Sequence, residues 1–134
     1  MIERKSTREI AKQAQAGMIV AETLALLADA AEPGVTTADL DRIAERHIKR
    51  RGGVPTFKGY RGFPGSICSS PNDMIVHGIP GPYVLADGDI LSIDVGVTYR
   101  GFVGDSAVTV PVGQVIADLA RVDRGEQALL AGLE

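Results

Sequence analysis

The chain has 134 residues, which is enough for one domain with a substantial hydrophobic core. A hydrophobic content of 45%, a charged content of 23% and a net charge of −3 are those of an ordinary globular protein, and they give no reason to expect nucleic acid or a membrane as a partner. The single cysteine, Cys68, excludes an internal disulfide, and the charged N-terminus lacks the apolar run of a signal peptide, so we expect a cytoplasmic location.

Residues 1–53 are predicted to form two helices. The first begins at Ser6, which has capping-box spacing to Glu9, and ends before Pro33. Its apolar residues at helical spacing are Ile10, Ala14, Met18, Ala21, Leu24 and Leu27. The second helix begins after Thr36 and ends in a basic run before Gly52. Its predicted buried face consists of Leu40, Ile43, Ala44 and Ile48.

Residues 54–112 are predicted to be β-rich, because short apolar runs alternate with glycine and proline. The predicted short strands are Val54–Phe57, Ser66–Ser69 and Met74–His77. Helices followed by an antiparallel sheet indicate an α+β fold with two helices packed on the sheet. Residues 123–134 have a second capping-box pattern and look like the first turns of a helix, so we expect the natural protein to continue beyond Glu134.

Two aspartates are the most informative feature of a predicted hairpin formed by residues 90–97 and 102–110. A turn centred between Tyr99 and Arg100 would place Asp94 directly opposite Asp105, with their β-carbons roughly 5 Å apart. Like charges in this position are destabilising unless a proton or a cation offsets them. The pattern therefore indicates a carboxylate metal site, and the alternative is two solvated residues on an open sheet face.

Other side chains allow two interpretations each. His77, at the end of a predicted strand beside Gly78, is either a hydrogen-bonded structural residue or a functional one. His47 is interpreted as a solvated or boundary residue of the second helix. Cys68 has no base beside it in the sequence and reads as a small buried residue. The aromatic cluster in a glycine-rich segment is either a loop anchor or the wall of an apolar pocket. Its members are Phe57, Tyr60 and Phe63.

Several linked motifs resemble the type I methionine aminopeptidases, and the resemblance covers essentially the whole chain. The motifs are Phe57-Lys-Gly-Tyr-Arg-Gly-Phe-Pro-Gly-Ser-Ile-Cys, Asn72-Asp-Met-Ile-Val-His-Gly-Ile-Pro, Asp87-Gly-Asp-Ile-Leu-Ser-Ile-Asp-Val-Gly and Gly101-Phe-Val-Gly-Asp-Ser-Ala. This family has the pita-bread fold, with two pseudo-symmetric halves around a dinuclear metal site. The resemblance therefore implies that the chain is the N-terminal half of such a fold and that the complete protein removes the initiator methionine from nascent peptides.

The resemblance also implies roles for individual residues. Asp94 and Asp105 match the family's metal-binding aspartates, which hold two divalent ions of manganese, iron, cobalt or zinc. His77 matches a catalytic histidine that contacts the substrate near the scissile amide. The pocket for the methionine side chain is implied at Phe57, Tyr60, Phe63 and Cys68.

The family's other ligands, one histidine and two glutamates, lie in a second half that this sequence does not contain. This leaves two functional hypotheses open. In the first, the chain is part of a methionine aminopeptidase and has little activity alone. In the second, it is a non-catalytic half-domain that acts as a homodimer or by pairing with a chain that supplies the missing half. A relative that binds proteins or acts on proline-linked peptides is disfavoured by the Phe57 to Cys68 segment.

Overall fold

The computed structural model describes residues 4–114, which form two helices and one antiparallel sheet. Helix α1 spans Thr7–Ala30 and helix α2 spans Thr37–Arg50. Both begin with complete capping boxes, because the hydroxyls of Ser6 and Thr36 accept hydrogen bonds from the backbone N–H groups of Glu9 and Asp39, whose carboxylates bond back to the cap residues. The predicted α+β order is confirmed, whereas the helix predicted at residues 123–134 lies outside the described residues.

The sheet is built around one central strand. Its four strands are β1 at Val54–Pro55, β2 at Cys68–Pro71, β3 at Ile90–Tyr99 and β4 at Phe102–Pro111. One edge of β3 pairs with β4 along its whole length, and the other edge pairs with β2 and then with β1. Every pairing is antiparallel, as the sequence predicts.

The predicted short strands need three corrections. β1 is two residues long instead of four, and β2 begins two residues later than predicted, at Cys68. The strand predicted at Met74–His77 is wrong, since these residues lie in an exposed loop. Both edges of β3 are already occupied in this region, and the loop reaches the outer edge of β2 only at Gly78. The outer edge of β2 has no partner strand within residues 4–114, but a ladder forms only where a run lies alongside such an edge, and this loop meets it at one residue.

Helix α1 presents a different face to the sheet from the one predicted. Ile10 and Met18, which belong to the predicted series of apolar residues at helical spacing, are 55% and 51% exposed. The residues that α1 buries are Ala16, Ile19, Val20, Thr23 and Leu27. The helix is oriented by a close approach to β4, because a β-carbon added to Gly104 would lie 2.7 Å from the Gly17 nitrogen. This backbone contact joins residues that are far apart in the sequence, so the helical periodicity of α1 alone cannot predict it.

The helices cover one face of the sheet and leave the other available for a site. On the covered face the β3 side chains are fully buried in a core that they share with α1 and with the predicted face of α2. These core residues are Leu91, Ile93, Val95 and Val97 of β3 and Leu40, Ala44 and Ile48 of α2. Among residues 4–114, neither helix is both long and apolar enough to cross a membrane.

Candidate metal centre

Asp94 and Asp105 share the uncovered face of the sheet but are not directly opposite each other. Asp94 pairs with Ala107, and Asp105 pairs with Gly96. The predicted direct pairing is therefore wrong by two residues, and the two carboxylates are diagonal neighbours with α-carbons roughly 7–8 Å apart. Long or polar side chains can still interact at this separation, and small residues occupy both opposing positions.

The difference comes from the turn that joins β3 to β4. Arg100 and Gly101 form the two-residue loop, with positive φ angles of 49° and 83°. Two positive φ values are typical of a type I′ hairpin turn, which matches the twist of the flanking strands. The register consequently moves by two residues from the predicted one. Because side chains alternate with a period of two, this shift changes partners and leaves every residue on its predicted face.

The Asp94 carboxylate lies in an environment that disfavours its charge. Its Oδ1 atom is buried and has no hydrogen-bond partner within residues 4–114. Burial and then the nearby Asp105 carboxylate raise the pKa of Asp94, and the proximity of His77 only partly opposes them. A buried, unpartnered carboxylate oxygen is costly. A bound cation would remove both the repulsion between the carboxylates and the missing interaction.

His77 lies across a shallow groove from this aspartate. It is exposed and has a φ angle of 60°, which is unusual for a residue other than glycine. The groove has a volume of about 220 Å³. Its lining consists of Ser70, Ile75, Val76, His77, Ser92, Asp94, Ala107, Val108 and Thr109. The sequence prediction that placed His77 in a strand was wrong, yet the loop brings this residue to the same site as Asp94.

Two of the predicted pocket residues also lie on the aspartate face. Cys68 is directly paired with Asp94 across the β2–β3 ladder and is buried. Burial, followed by the charges of Asp94 and Asp105, raises the pKa of the Cys68 thiol to about 11, so it is an uncharged thiol at neutral pH. The Phe57 ring covers Gly96, where an added β-carbon would lie 2.5 Å from Cε1 of the ring. Both side chains therefore offer apolar surface beside the carboxylates.

Tyr60 and Phe63 are placed less directly. Tyr60 begins a single turn of 3-10 helix at Tyr60–Gly62, and its side chain is 64% exposed. Phe63 is half-buried and closes this turn by donating its backbone N–H to the Tyr60 carbonyl oxygen. Neither residue lines the groove that contains His77 and Asp94. The Phe57 ring is placed on the aspartate face by its contact with Gly96, although it does not line this groove either.

The residues present fit part of a metal site. Two carboxylates on one face are hard oxygen donors that suit divalent cations, and the unpartnered Asp94 oxygen leaves a lone pair for one. Within residues 4–114, however, no group of three or more histidine, cysteine, aspartate or glutamate side chains is arranged to hold an ion. Sequence reasoning missed Ser70 as a neighbour of the site, and its only signal was the short Ser-Ser run of β2.

Known proteins match both the sequence and the fold. Methionine aminopeptidase 1 of Bacillus subtilis is 50% identical over 135 residues, which cover 100% of this chain and 54% of that protein. The crystal structure of methionine aminopeptidase from Rickettsia prowazekii gives a TM-score of 0.87 at 37% identity and covers 90% of this chain and 49% of that one. The Thermotoga maritima enzyme gives a TM-score of 0.87 at 39% identity, covering 93% of this chain and 52% of its own.

These similarities confirm the predicted fold, one half of a pita-bread architecture. The chain spans about half the length of the relatives it matches. The sequence profile of the metallopeptidases of family M24 matches residues 11–134, which include both aspartates, His77 and Cys68. The chain therefore belongs to metallopeptidase family M24.

Proposed function

We propose that this chain supplies one half of the catalytic site of a methionine aminopeptidase and that Asp94 and Asp105 are its metal ligands there. The observation that supports this most directly is the buried, unpartnered Asp94 oxygen on the same sheet face as a second carboxylate. The relatives that match the whole chain are named methionine aminopeptidases, which favours an enzyme over a self-associating half-domain. The proposed substrate is a nascent peptide with an N-terminal methionine.

Each residue of the site has a distinct proposed task. When bound, two divalent ions lower the pKa of a water molecule and polarise the scissile carbonyl. His77, across the groove from Asp94, donates a hydrogen bond to the substrate near the scissile amide. The Phe57 ring and the uncharged Cys68 thiol provide soft apolar surface for an unbranched side chain, and Tyr60 and Phe63 extend this wall.

The described part of the chain cannot complete the ion coordination, so we propose that a complementary half supplies one histidine and two glutamates. The uncovered side of the molecule suits such docking, because several large apolar side chains near the groove are exposed. Ile75, Val76 and Ile79 are 87%, 62% and 61% exposed. Exposed apolar groups of this kind mark surfaces that a partner covers. The ions are proposed to be manganese, iron, cobalt or zinc, and the protein is proposed to act in the cytoplasm.

The test is hydrolysis of Met-Ala-Ser by the chain alone and by its mixture with the remaining, complementary part of the Bacillus subtilis relative. We expect almost no cleavage by the chain alone and Mn²⁺- or Co²⁺-dependent release of methionine by the mixture. Cleavage by the purified chain alone at a rate near that of complete aminopeptidases would contradict the proposal, since two carboxylates leave most coordination positions to water.

Matched variants separate the site from general effects of charge. Asp94→Asn and Asp105→Asn should each abolish the gain on mixing and weaken Mn²⁺ binding to the chain, measured by isothermal titration calorimetry. Asp29→Asn, which removes an exposed carboxylate from α1, should leave both unchanged. Equal Mn²⁺ affinity in the wild-type, Asp94→Asn and Asp29→Asn proteins would show that the ion does not bind at this face.

A further inference from the structure

Gly78, the residue after His77, is the point at which the loop of residues 72–80 is fixed to the sheet. Its backbone N–H donates a hydrogen bond to the Ser70 hydroxyl at 3.0 Å, and its carbonyl oxygen accepts one from the Ser69 N–H at 2.9 Å. Gly78 is buried, and an added β-carbon would collide with the Ser69 carbonyl oxygen. Two hydrogen bonds therefore join one residue of the loop to strand β2.

The residues before Gly78 have little else to hold them in place. Met74, Ile75, Val76 and His77 are all exposed, so they gain almost no packing energy. The turn at the start of the loop is fixed by hydrogen bonds at Asn72 and Met74, several residues away from the histidine. His77 also has a positive φ angle, a conformation that persists only where surrounding contacts impose it.

Ser70 lies on the same sheet face as Asp94. It is paired with Ser92, two positions from Asp94 along β3, and its side chain is 3% exposed. It lines the same groove as His77 and Asp94. A hydroxyl in this place connects the rigid sheet that bears the aspartate to the loop that bears the histidine.

We infer that Ser70 is a positioning residue, which holds His77 across from Asp94 by accepting the hydrogen bond of the Gly78 N–H. This inference rests on the proposed function, in which His77 must be held beside the groove that Asp94 also lines. The connection to β2 through the Ser69 N–H is a backbone contact that Ser70→Ala leaves in place, whereas the Ser70 hydroxyl is removed by that substitution.

The neighbouring serine provides a matched control. Ser69 is also buried in β2, but its side chain points to the opposite face, and its Oγ atom has no hydrogen-bond partner within residues 4–114. Ser69→Ala and Ser70→Ala remove the same atom from adjacent positions of one strand. Ser70→Thr keeps the hydroxyl and is compatible with a strand, so it should restore the wild-type behaviour.

The experiment measures backbone ¹⁵N relaxation of the full chain without added metal. In Ser70→Ala we expect the order parameter of the His77 amide to fall from about 0.85 to below about 0.6, and the Gly78 amide to exchange with solvent roughly tenfold faster. Ser69→Ala and Ser70→Thr should match the wild type. Thermal unfolding of all three variants shows whether a change is confined to the loop. Unchanged order at His77 in a folded Ser70→Ala protein would overturn the inference.

A second arm separates this inference from the proposed function. Mn²⁺ bound by Asp94 and Asp105 should broaden the amide signals of Val95 and Ser106, and also the His77 ring signals in the wild type. In Ser70→Ala the strand signals should stay broadened, while the broadening of the His77 ring becomes weaker than in the wild type. Absence of broadening at Val95 and Ser106 would contradict the proposed metal site, and the metal-free relaxation result would still decide the role of Ser70.

Discussion

Gly96 is the residue at which the Phe57 ring meets the sheet. A methyl group here would lie 2.5 Å from the ring, so in Gly96→Ala the ring must leave the aspartate face. We expect a loss of about 1–3 kcal/mol in the free energy of unfolding, measured by urea denaturation. Gly81→Ala is the control, because its nearest neighbour would lie 3.8 Å away and its stability should change little. Equal stability of the two variants would show that the Phe57 ring moves aside without cost.

At the residue scale, the sequence predicts the face of each aspartate but not its partner. Because side chains alternate along β3 and β4, Asp94 and Asp105 lie on one face in the predicted register and also in a register shifted from it by two residues. The actual register requires Arg100 to have a positive φ angle, which few residues other than glycine adopt. The positive φ angle of His77 depends in the same way on contacts distant in the sequence. Local patterns cannot predict such angles.

At the scale of elements, the contact between α1 and β4 predicts opposite effects for two glycines. Gly104→Ala would force a methyl group against the α1 backbone, 2.7 Å from the Gly17 nitrogen, and should destabilise the protein by about 3 kcal/mol or more. Gly17→Ala meets no atom within 4 Å and lies in a helix, where alanine is favoured by about 0.8–1 kcal/mol. Urea unfolding measures both, and a neutral Gly104→Ala would contradict the close approach.

The segment before β3 should be sensitive to acid through Asp89. Burial alone would raise the pKa of Asp89, but hydrogen bonds from the Ala86 N–H, Asn72 and Tyr83 outweigh it and lower the pKa. The three donor–acceptor distances are each 2.9 Å. A folded-state pKa below the unfolded value of about 3.9 means that the stabilisation is present above that pH and is lost as the pH falls through the folded-state pKa.

The measurement compares wild type with Asp89→Ala by urea unfolding at pH 6 and at about pH 2.5. The other carboxylates titrate in both proteins. The difference in the free energy of unfolding between wild type and Asp89→Ala therefore reports on Asp89 alone. We expect the wild type to be more stable at pH 6 and this advantage to shrink at the acidic pH. An advantage that is the same at both pH values would show that these hydrogen bonds do not depend on the carboxylate charge.

Helix limits could be predicted because their signals are local, as the Ser6 capping box shows. The buried face of α1 could not, because it depends on contact with Gly104, 87 positions after Gly17 in the sequence. The run Met74–His77 has the composition of a strand, but a strand forms only where the chain lies alongside a neighbouring edge, and this loop meets β2 only at Gly78. Composition alone does not show which path the chain takes past an edge.

At the scale of the whole molecule, the core and the proposed site lie on opposite faces of the sheet. Both helices pack on one face of the sheet, where the core lies, and the aspartates, Cys68 and Phe57 lie on the other. The α+β order of helices before strands predicts this arrangement, since one apolar face of a sheet must be covered. The family could also be predicted, because each of its motifs is a contiguous stretch of the sequence. The match to family M24 confirms that prediction.

The central place of β3 determines the order in which the molecule can be assembled on the ribosome. Within residues 4–114, β1 and β2 precede β3 and pair with no other strand, so neither has a partner strand there until residues 90–99 have emerged. Before that moment the nascent chain can form helices, which need only local contacts, but not the sheet. Synthesis of a single ten-residue stretch thus delivers Asp94, the first of the two proposed metal ligands, and the framework that supports it at the same time.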